Sequence, residues 1–295
     1  MESQKTVNKK ALGHMAALLC AIIWGTTFIS TKVVLSTFTP IEILVIRFIL
    51  GYLLLWALRP KTLPFQGIKW EANAFFAGVF GIALYYLAEN YALEYTSAGN
   101  VSLIVSTAPF FIAITFRLLK ESDEKLSIYF FLGFILAIGG IALMNYSEGV
   151  FSFDLAGFIL ALLGAVLWGI YSVFIKRAGK QSVDTIALTR RTFFYGLIVL
   201  LPISLLLGFD VSANDFKDLN VLINVIYLGL GASAICFAVW NFAIKSLGAL
   251  VSGVYIYLVP AITVVFSYFF LNEGMNIYMI AGTILVIIGL VISEK

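Results

Sequence analysis

The chain reads as an all-α polytopic membrane protein, with ten transmembrane helices in two inverted five-helix repeats. Three observations predict this. The 295 residues are 61% hydrophobic and only 12% charged, with a mean hydropathy of +1.01. A soluble domain has no means of hiding that much apolar surface, whereas a bilayer demands it. The hydrophobic residues fall into runs of membrane length separated by turn and charge signals. Finally, residues 24–109 are echoed by residues 168–260, with similar chemistry in matching places.

A helix needs about 20 apolar residues to cross the hydrocarbon core. Ten candidates follow in order: 12–35, 41–58, 72–93, 97–118, 127–145, 155–175, 186–207, 221–244, 247–271 and 277–293. The run Arg59-Pro60-Lys61-Thr62-Leu63-Pro64 closes the second, Lys120-Glu121-Ser122-Asp123-Glu124-Lys125 the fourth, and Asn145-Tyr146-Ser147-Glu148-Gly149 the fifth. Each carries the proline, glycine or charge that stops a helix. A barrel would instead show alternating strands of about ten residues. The first span continues through Trp24 to Leu35 without a small-residue cleavage site, which is unlike a cleaved signal peptide.

Trp24-Gly25 returns as Trp168-Gly169, Lys32 as Lys176 and Arg47 as Arg191, at a constant offset of 144. Asn90, Ala92 and Pro109 return as Asn241, Ala243 and Pro260, at an offset of 151. The repeats are therefore residues 1–146 and 147–295, integrated in one membrane domain. Five spans per copy make the second copy enter the membrane from the opposite side, an architecture of secondary transporters.

Lysine and arginine set the orientation. With the N-terminus and its Lys5, Lys9 and Lys10 inside, the inner segments hold 14 basic residues and the outer loops only Lys217. Both termini are expected in the cytoplasm and the chain in the cytoplasmic membrane. The longest loop, Gly208 to Asn220, is too short for an ATPase or any soluble catalytic domain. Gly179-Lys180 is followed by Gln181 and makes no phosphate loop. Cys20 and Cys236 both fall in apolar spans, where they suit packing rather than a disulfide or a zinc site. His14 is the only histidine and stands at a span edge, and no clustered acid pair lies within any span. Serines without a base are not nucleophiles, so Ser102 and Ser106 read as helix-packing residues. No cofactor, metal or nucleic-acid partner is expected.

An ionisable side chain at membrane depth costs about 3 kcal/mol or more unless it is paired or hydrated. Arg47 sits on the outer half of the second span and Arg191 on the inner half of the seventh, as an inverted pseudo-twofold requires. They either line a pathway or snorkel to opposite interfaces. Arg190 has no counterpart at Ile46 and reads as interfacial. Trp24, Phe28 and Lys32 share one helix face, as do Trp168, Ser172 and Lys176. Each lysine lines a cavity or anchors a helix end. Glu89 and Asn90 follow Tyr85 and Tyr86 by one turn near the outer end of the third span. Glu89 fits an outer gate, a substrate contact or a proton-coupling acid, at a depth where it could meet Arg47 or Lys32. The second copy has Trp240 in its place and keeps Asn241. Pro109 and Pro260 predict kinks in the fourth and ninth spans. Gly133, Gly139 and Gly140 in the fifth span, with Gly282 and Gly289 in the tenth, predict close-packing surfaces.

In these features the chain resembles, along nearly its whole length, the EamA family of the drug/metabolite transporter superfamily. The first copy carries Trp24-Gly25, Lys32 and Arg47, then Ala92-Leu93-Glu94-Tyr95-Thr96-Ser97-Ala98, Pro109 and Glu121. The second carries Trp168-Gly169, Lys176, Arg191, Ala243 to Gly248, Pro260 and Leu271-Asn272-Glu273. The resemblance implies a central cavity built from spans 1, 3, 4, 6, 8 and 9, and transport of small metabolites, more commonly outward. Lys120 replaces the family's usual glycine before the glutamate. Glu121 and Glu273 read as loop or cap residues.

The expected function is thus alternating-access transport of an amino acid or related metabolite, with efflux the expected direction. Its partners are a small-molecule substrate, the lipid bilayer and, if coupled, protons. The expected cavity walls are Trp24, Tyr86, Asn90, Trp168, Trp240 and Asn241, with Arg47 and Arg191 as gates or anion contacts. The alternatives are an uncoupled facilitator or channel and, less favoured, a membrane-embedded lipid-modifying enzyme.

Overall fold

The computed structural model describes residues 2–121, 127–147, 150–151, 154–179, 183–247 and 255–293. Residues 248–254, predicted to open the ninth span, lie outside the described residues, as do Lys125, Lys180 and Lys295 and the side chain of Asn241.

Apolar helices appear in the order the hydropathy predicts. They are α1 (Glu2–Val34), α2 (Pro40–Leu58), α3 (Ile68–Tyr95), α4 (Ala98–Leu118), α5 (Ile128–Met144), α6 (Leu155–Gly179) and α7 (Thr185–Leu206). Then come α8, which runs from Leu219–Ile226 through Tyr227–Ile235 into Cys236–Leu247, α9 (Tyr255–Leu271) and α10 (Ile277–Ser293). Among the described residues, seven of these ten satisfy length and composition for crossing a membrane, while α5, α9 and α10 are shorter apolar helices. The all-α expectation needs one small amendment. Tyr146–Ser147 (β1) pairs antiparallel with Val150–Phe151 (β2), a ribbon between α5 and α6. The long loop holds a single 3-10 turn, Ala213–Phe216.

Sequence chemistry sets the helix starts. Ser97, Ser127, Asp184 and Asn276 each accept a bond from a backbone N–H in the first turn of the helix that follows. Thr39 precedes Pro40, and its N–H donates to Glu42 Oε2 at 2.8 Å.

Exposed apolar residues identify the lipid-facing surface. Ile277, Ile280, Ile284, Ile288 and Val291 form a helical row along α10, and Ile128, Phe131, Leu132, Ile135 and Ile138 another along α5. In water such rows would aggregate; in a bilayer they are solvated.

The predicted glycine surfaces of α5 and α10 meet each other through Gly133, Gly140, Gly282 and Gly289, whereas Gly139, expected to pack closely, has its nearest neighbour 3.8 Å from a built Cβ. A Cβ on Gly140 would lie 2.6 Å from the Gly282 carbonyl oxygen, and one on Gly289 would lie 2.6 Å from that of Gly133. The pairs cross over, as an isologous contact about a twofold requires. Missing side chains let the backbones touch where no hydrophobic force distinguishes helix from lipid.

A feature not legible beforehand recurs in both copies. α3 winds as a π-helix over Gly78–Leu84 and α8 over Tyr227–Ile235. Such segments are uncommon and displace the side chains that follow. Tyr85, Tyr86 and Glu89 follow the first, and Ser233 lies within the second.

Candidate functional site

The Trp-Gly motifs join the two repeats. Gly25 lets α1 approach α9, since a Cβ there would lie 2.6 Å from Ile262 Cγ2. Gly169 lets α6 approach α4, with Phe111 backbone 2.8 Å away. Phe111 and Ile262 are related by the same offset of 151, so the two contacts are equivalent. Each glycine carbonyl also accepts a threonine hydroxyl of the other repeat, Thr263 on Gly25 at 2.8 Å and Thr115 on Gly169 at 3.0 Å. This anchoring holds Trp24 and Trp168 beside a cavity between the repeats.

That cavity, about 120 Å³, is lined by Trp24, Thr27 and Phe28 of α1, Tyr85, Tyr86 and Glu89 of α3, an α4 strip from Ser102 to Ile112, Trp168 of α6, and Ile256 and Val259 of α9. A second chamber of about 250 Å³ shares Trp24 and Trp168 and continues past Tyr171, Thr189, Phe237 and Trp240. Trp24 packs on Trp240 with ring centroids 5.0 Å apart, and Trp168 on Tyr85 at 4.9 Å. The two tryptophans thus stand at the junction of two chambers.

Pro109 and Pro260 are the second residues of helical segments beginning at Ala108 and Val259. Before them α4 turns at Ser106–Thr107, and α9 is 3-10 wound over Tyr255–Leu258. A proline supplies no N–H to the carbonyl four residues earlier. Those carbonyls belong to Val105 and Ile256, both in the cavity lining. Ser102 and Ser106, read from sequence as packing residues, line it too. Their spacing with Val105, Pro109 and Ile112 is the helical periodicity that could have revealed one cavity-facing strip.

Glu89 is 3% exposed and accepts a hydrogen bond of 2.5 Å from Tyr85 Oη. No ion pair joins it to Arg47 or Lys32 among the described residues. Arg47, 2% exposed, lies outside both linings: its Nε donates to Ser233 Oγ at 2.7 Å, and its Cζ sits 4.4 Å over the Tyr86 ring. Its Nη1 has no hydrogen-bond partner among the described residues. Asn90 is fully buried, and its Nδ2 donates to the Pro40 carbonyl at 3.3 Å. It braces α3 against the start of α2.

The lysines occupy opposite faces and matched positions. Lys32 Nζ lies 3.1 Å from Glu273 Oε1 and donates to the Thr96 carbonyl at 2.9 Å. Glu273 Oε1 also accepts the Ala98 N–H at 2.9 Å, at the start of α4. At the other face Glu121 accepts from Arg177 Nε at 2.7 Å, with Lys176 Nζ 3.9 Å away. Both pairs cross from one repeat to the other. Each glutamate follows a left-handed residue, Lys120 with φ 56° and Asn272 with φ 54°. That conformation is why glycine suits the position and why asparagine tolerates it. Arg191 bonds Glu71 at 3.2 Å and the Leu63 carbonyl, and Arg190 holds the carbonyls of Arg59 and Lys61. Both arginines thereby tie α7 to the loop between α2 and α3, and both border a shallow pocket there with Tyr52 and Trp56.

A model of the EamA-like transporter family matches residues 11–146 and again residues 155–294. The chain belongs to the EamA-like transporter family. An uncharacterized transporter of Archaeoglobus fulgidus is 28% identical over 291 residues, covering 95% of this chain and 96% of its own. Another, from Clostridium kluyveri, is 25% identical, and the Bacillus subtilis transporter YdfC is 27% identical over 90% of this chain and 86% of its own. A solved crystal structure superposes with a TM-score of 0.66 at 19% identity, covering 97% of this chain and 95% of the other, which bears on the fold alone. The protein is an integral membrane transporter of a family built from two repeats.

Proposed function

We propose that this EamA-like protein is a secondary transporter that works by alternating access and moves an amino acid or related small metabolite outward across the cytoplasmic membrane. The observation that carries the reading is the matched set of cross-repeat ion pairs, Lys32–Glu273 on one face and Arg177/Lys176–Glu121 on the other, with the paired chambers between them. If one repeat rocks against the other, opening one face breaks one pair and can leave the other intact. The lysines and glutamates then act as gates, Pro109 and Pro260 as the points about which α4 and α9 bend, and the tryptophans as the walls that a substrate passes. Aromatic walls supply contact area and a few polar groups fix orientation. Outward transport follows the direction favoured by the family resemblance.

The test is flux in proteoliposomes holding purified protein, with labelled amino acids, nucleobases and organic acids, each with and without an imposed pH gradient. Saturable flux of at least one amino acid or related compound is expected. A pH response that disappears in Glu89→Gln would mark proton exchange, and flux indifferent to the gradient would mark a facilitator. Intact protein that moves none of the panel would remove the proposed cargo.

A further inference from the structure

We infer that the chamber around Glu89 recognises the cationic pole of its substrate, an organic ammonium group carried on an apolar or aromatic body. The inference rests on the proposed reading of this chamber as the transport site.

The argument starts from what the lining offers. Thr27, Ser102 and Ser106 have each donated their hydroxyl hydrogen to a carbonyl of their own helix, of Trp24, Gly99 and Leu103 respectively. What they can turn to the chamber is a lone pair. Pro109 withholds from the Val105 carbonyl the N–H that a regular helix would supply four residues on. Glu89 adds a carboxylate, which when ionised is an acceptor only. Tyr85 spends its hydroxyl hydrogen on that carboxylate. The donors left to the lining are the two indole N–H groups and the Tyr86 hydroxyl, which suit single neutral acceptors.

The faces around the carboxylate have the same preference. The rings of Tyr85, Tyr86 and Trp168 adjoin one another, with centroids 4.7 and 4.9 Å apart for the two contacts made by Tyr85. Aromatic faces attract cations, and more strongly where water is excluded. Among the described residues, no lysine, arginine or histidine lines either chamber. Arg47 lies outside both linings, over the Tyr86 ring, and is bonded to Ser233. An anion entering the chamber would therefore meet Glu89 before any positive group.

Binding can be read from quenching of tryptophan fluorescence in purified protein in lipid nanodiscs, using three probes of one shape: phenethylammonium, 2-phenylethanol and 3-phenylpropanoate. The cation is expected to bind about tenfold tighter than the alcohol, with the anion weakest. In Glu89→Gln the cation should fall to the level of the alcohol while the alcohol is unchanged. Tyr85→Phe keeps the ring but removes the competing donor, so it should tighten cation binding about threefold. Equal or tighter binding of the alcohol or the anion would overturn the inference. So would a cation preference that survives Glu89→Gln, a loss of it in Tyr85→Phe, or no binding of any probe to folded protein. None of these results would itself remove the transport reading, which the flux panel decides separately.

Discussion

Arg47 carries a charge at 2% exposure with, among the described residues, a single side-chain hydrogen bond, to Ser233, and a tyrosine ring beneath it. Hydrogen bonds to charged groups contribute about 1.5–3 kcal/mol, so Ser233→Ala should destabilise the protein by that order, while Ser233→Thr should retain most of it. Thermal unfolding in detergent checks this; an unchanged midpoint in Ser233→Ala would show that Arg47 does not depend on the bond. The sequence marked Arg47 as a buried cation because its depth in an apolar run is one-dimensional information. Its partner was not legible, since Ser233 is 186 residues away and lies in a π-helical stretch of α8 that no local pattern announces. The same limit applies to Glu89. Its proximity to two tyrosines follows from helical spacing, whereas the choice of Tyr85 rather than Arg47 depends on how α2 and α3 pack.

At the scale of elements, α5 and α10 form a scaffold that is separate from the chambers, since neither contributes to their linings. Gly140→Leu would drive a side chain into the backbone of α10 at Gly282, and overpacking of this kind costs about 1–3 kcal/mol. Gly139 faces open packing, with its nearest neighbour 3.8 Å from a built Cβ, so Gly139→Ala should be tolerated. The expected result is a lowered melting temperature for Gly140→Leu and an unchanged one for Gly139→Ala; equal loss in both would refute the close-contact account. The glycine spacing made these surfaces readable in advance, and hydropathy placed most helix ends to within a few residues, α1 beginning at Glu2, well before its predicted span. The paired π-helices were hidden, because an extra residue in one helical turn leaves the apolar run intact. Ser102 and Ser106 were assigned to packing because small hydroxylated residues serve both purposes in a membrane.

The whole molecule joins two inverted copies through the Trp-Gly contacts and the α5–α10 scaffold, with an ion pair at each face. Neither pair is deeply buried: Lys32 and Glu273 are 31% and 14% exposed, and such pairs are worth about 1 kcal/mol or less. Weak closures suit the proposed alternating access, in which each pair would open in turn while the glycine contacts hold the repeats together. The internal duplication displayed this symmetry in the sequence. The pairing of Lys32 with Glu273 and of Arg177 with Glu121 required the fold, because each crosses between repeats. The most direct test is labelling of Ser106→Cys by a membrane-impermeant thiol reagent applied to each side, in a background with Cys20 and Cys236 replaced by alanine. Labelling from both sides is expected, and a covalent bridge between cysteines placed at 32 and 273 should abolish it from that face while preserving it from the other. Labelling unchanged on the bridged face would contradict alternating access through this cavity.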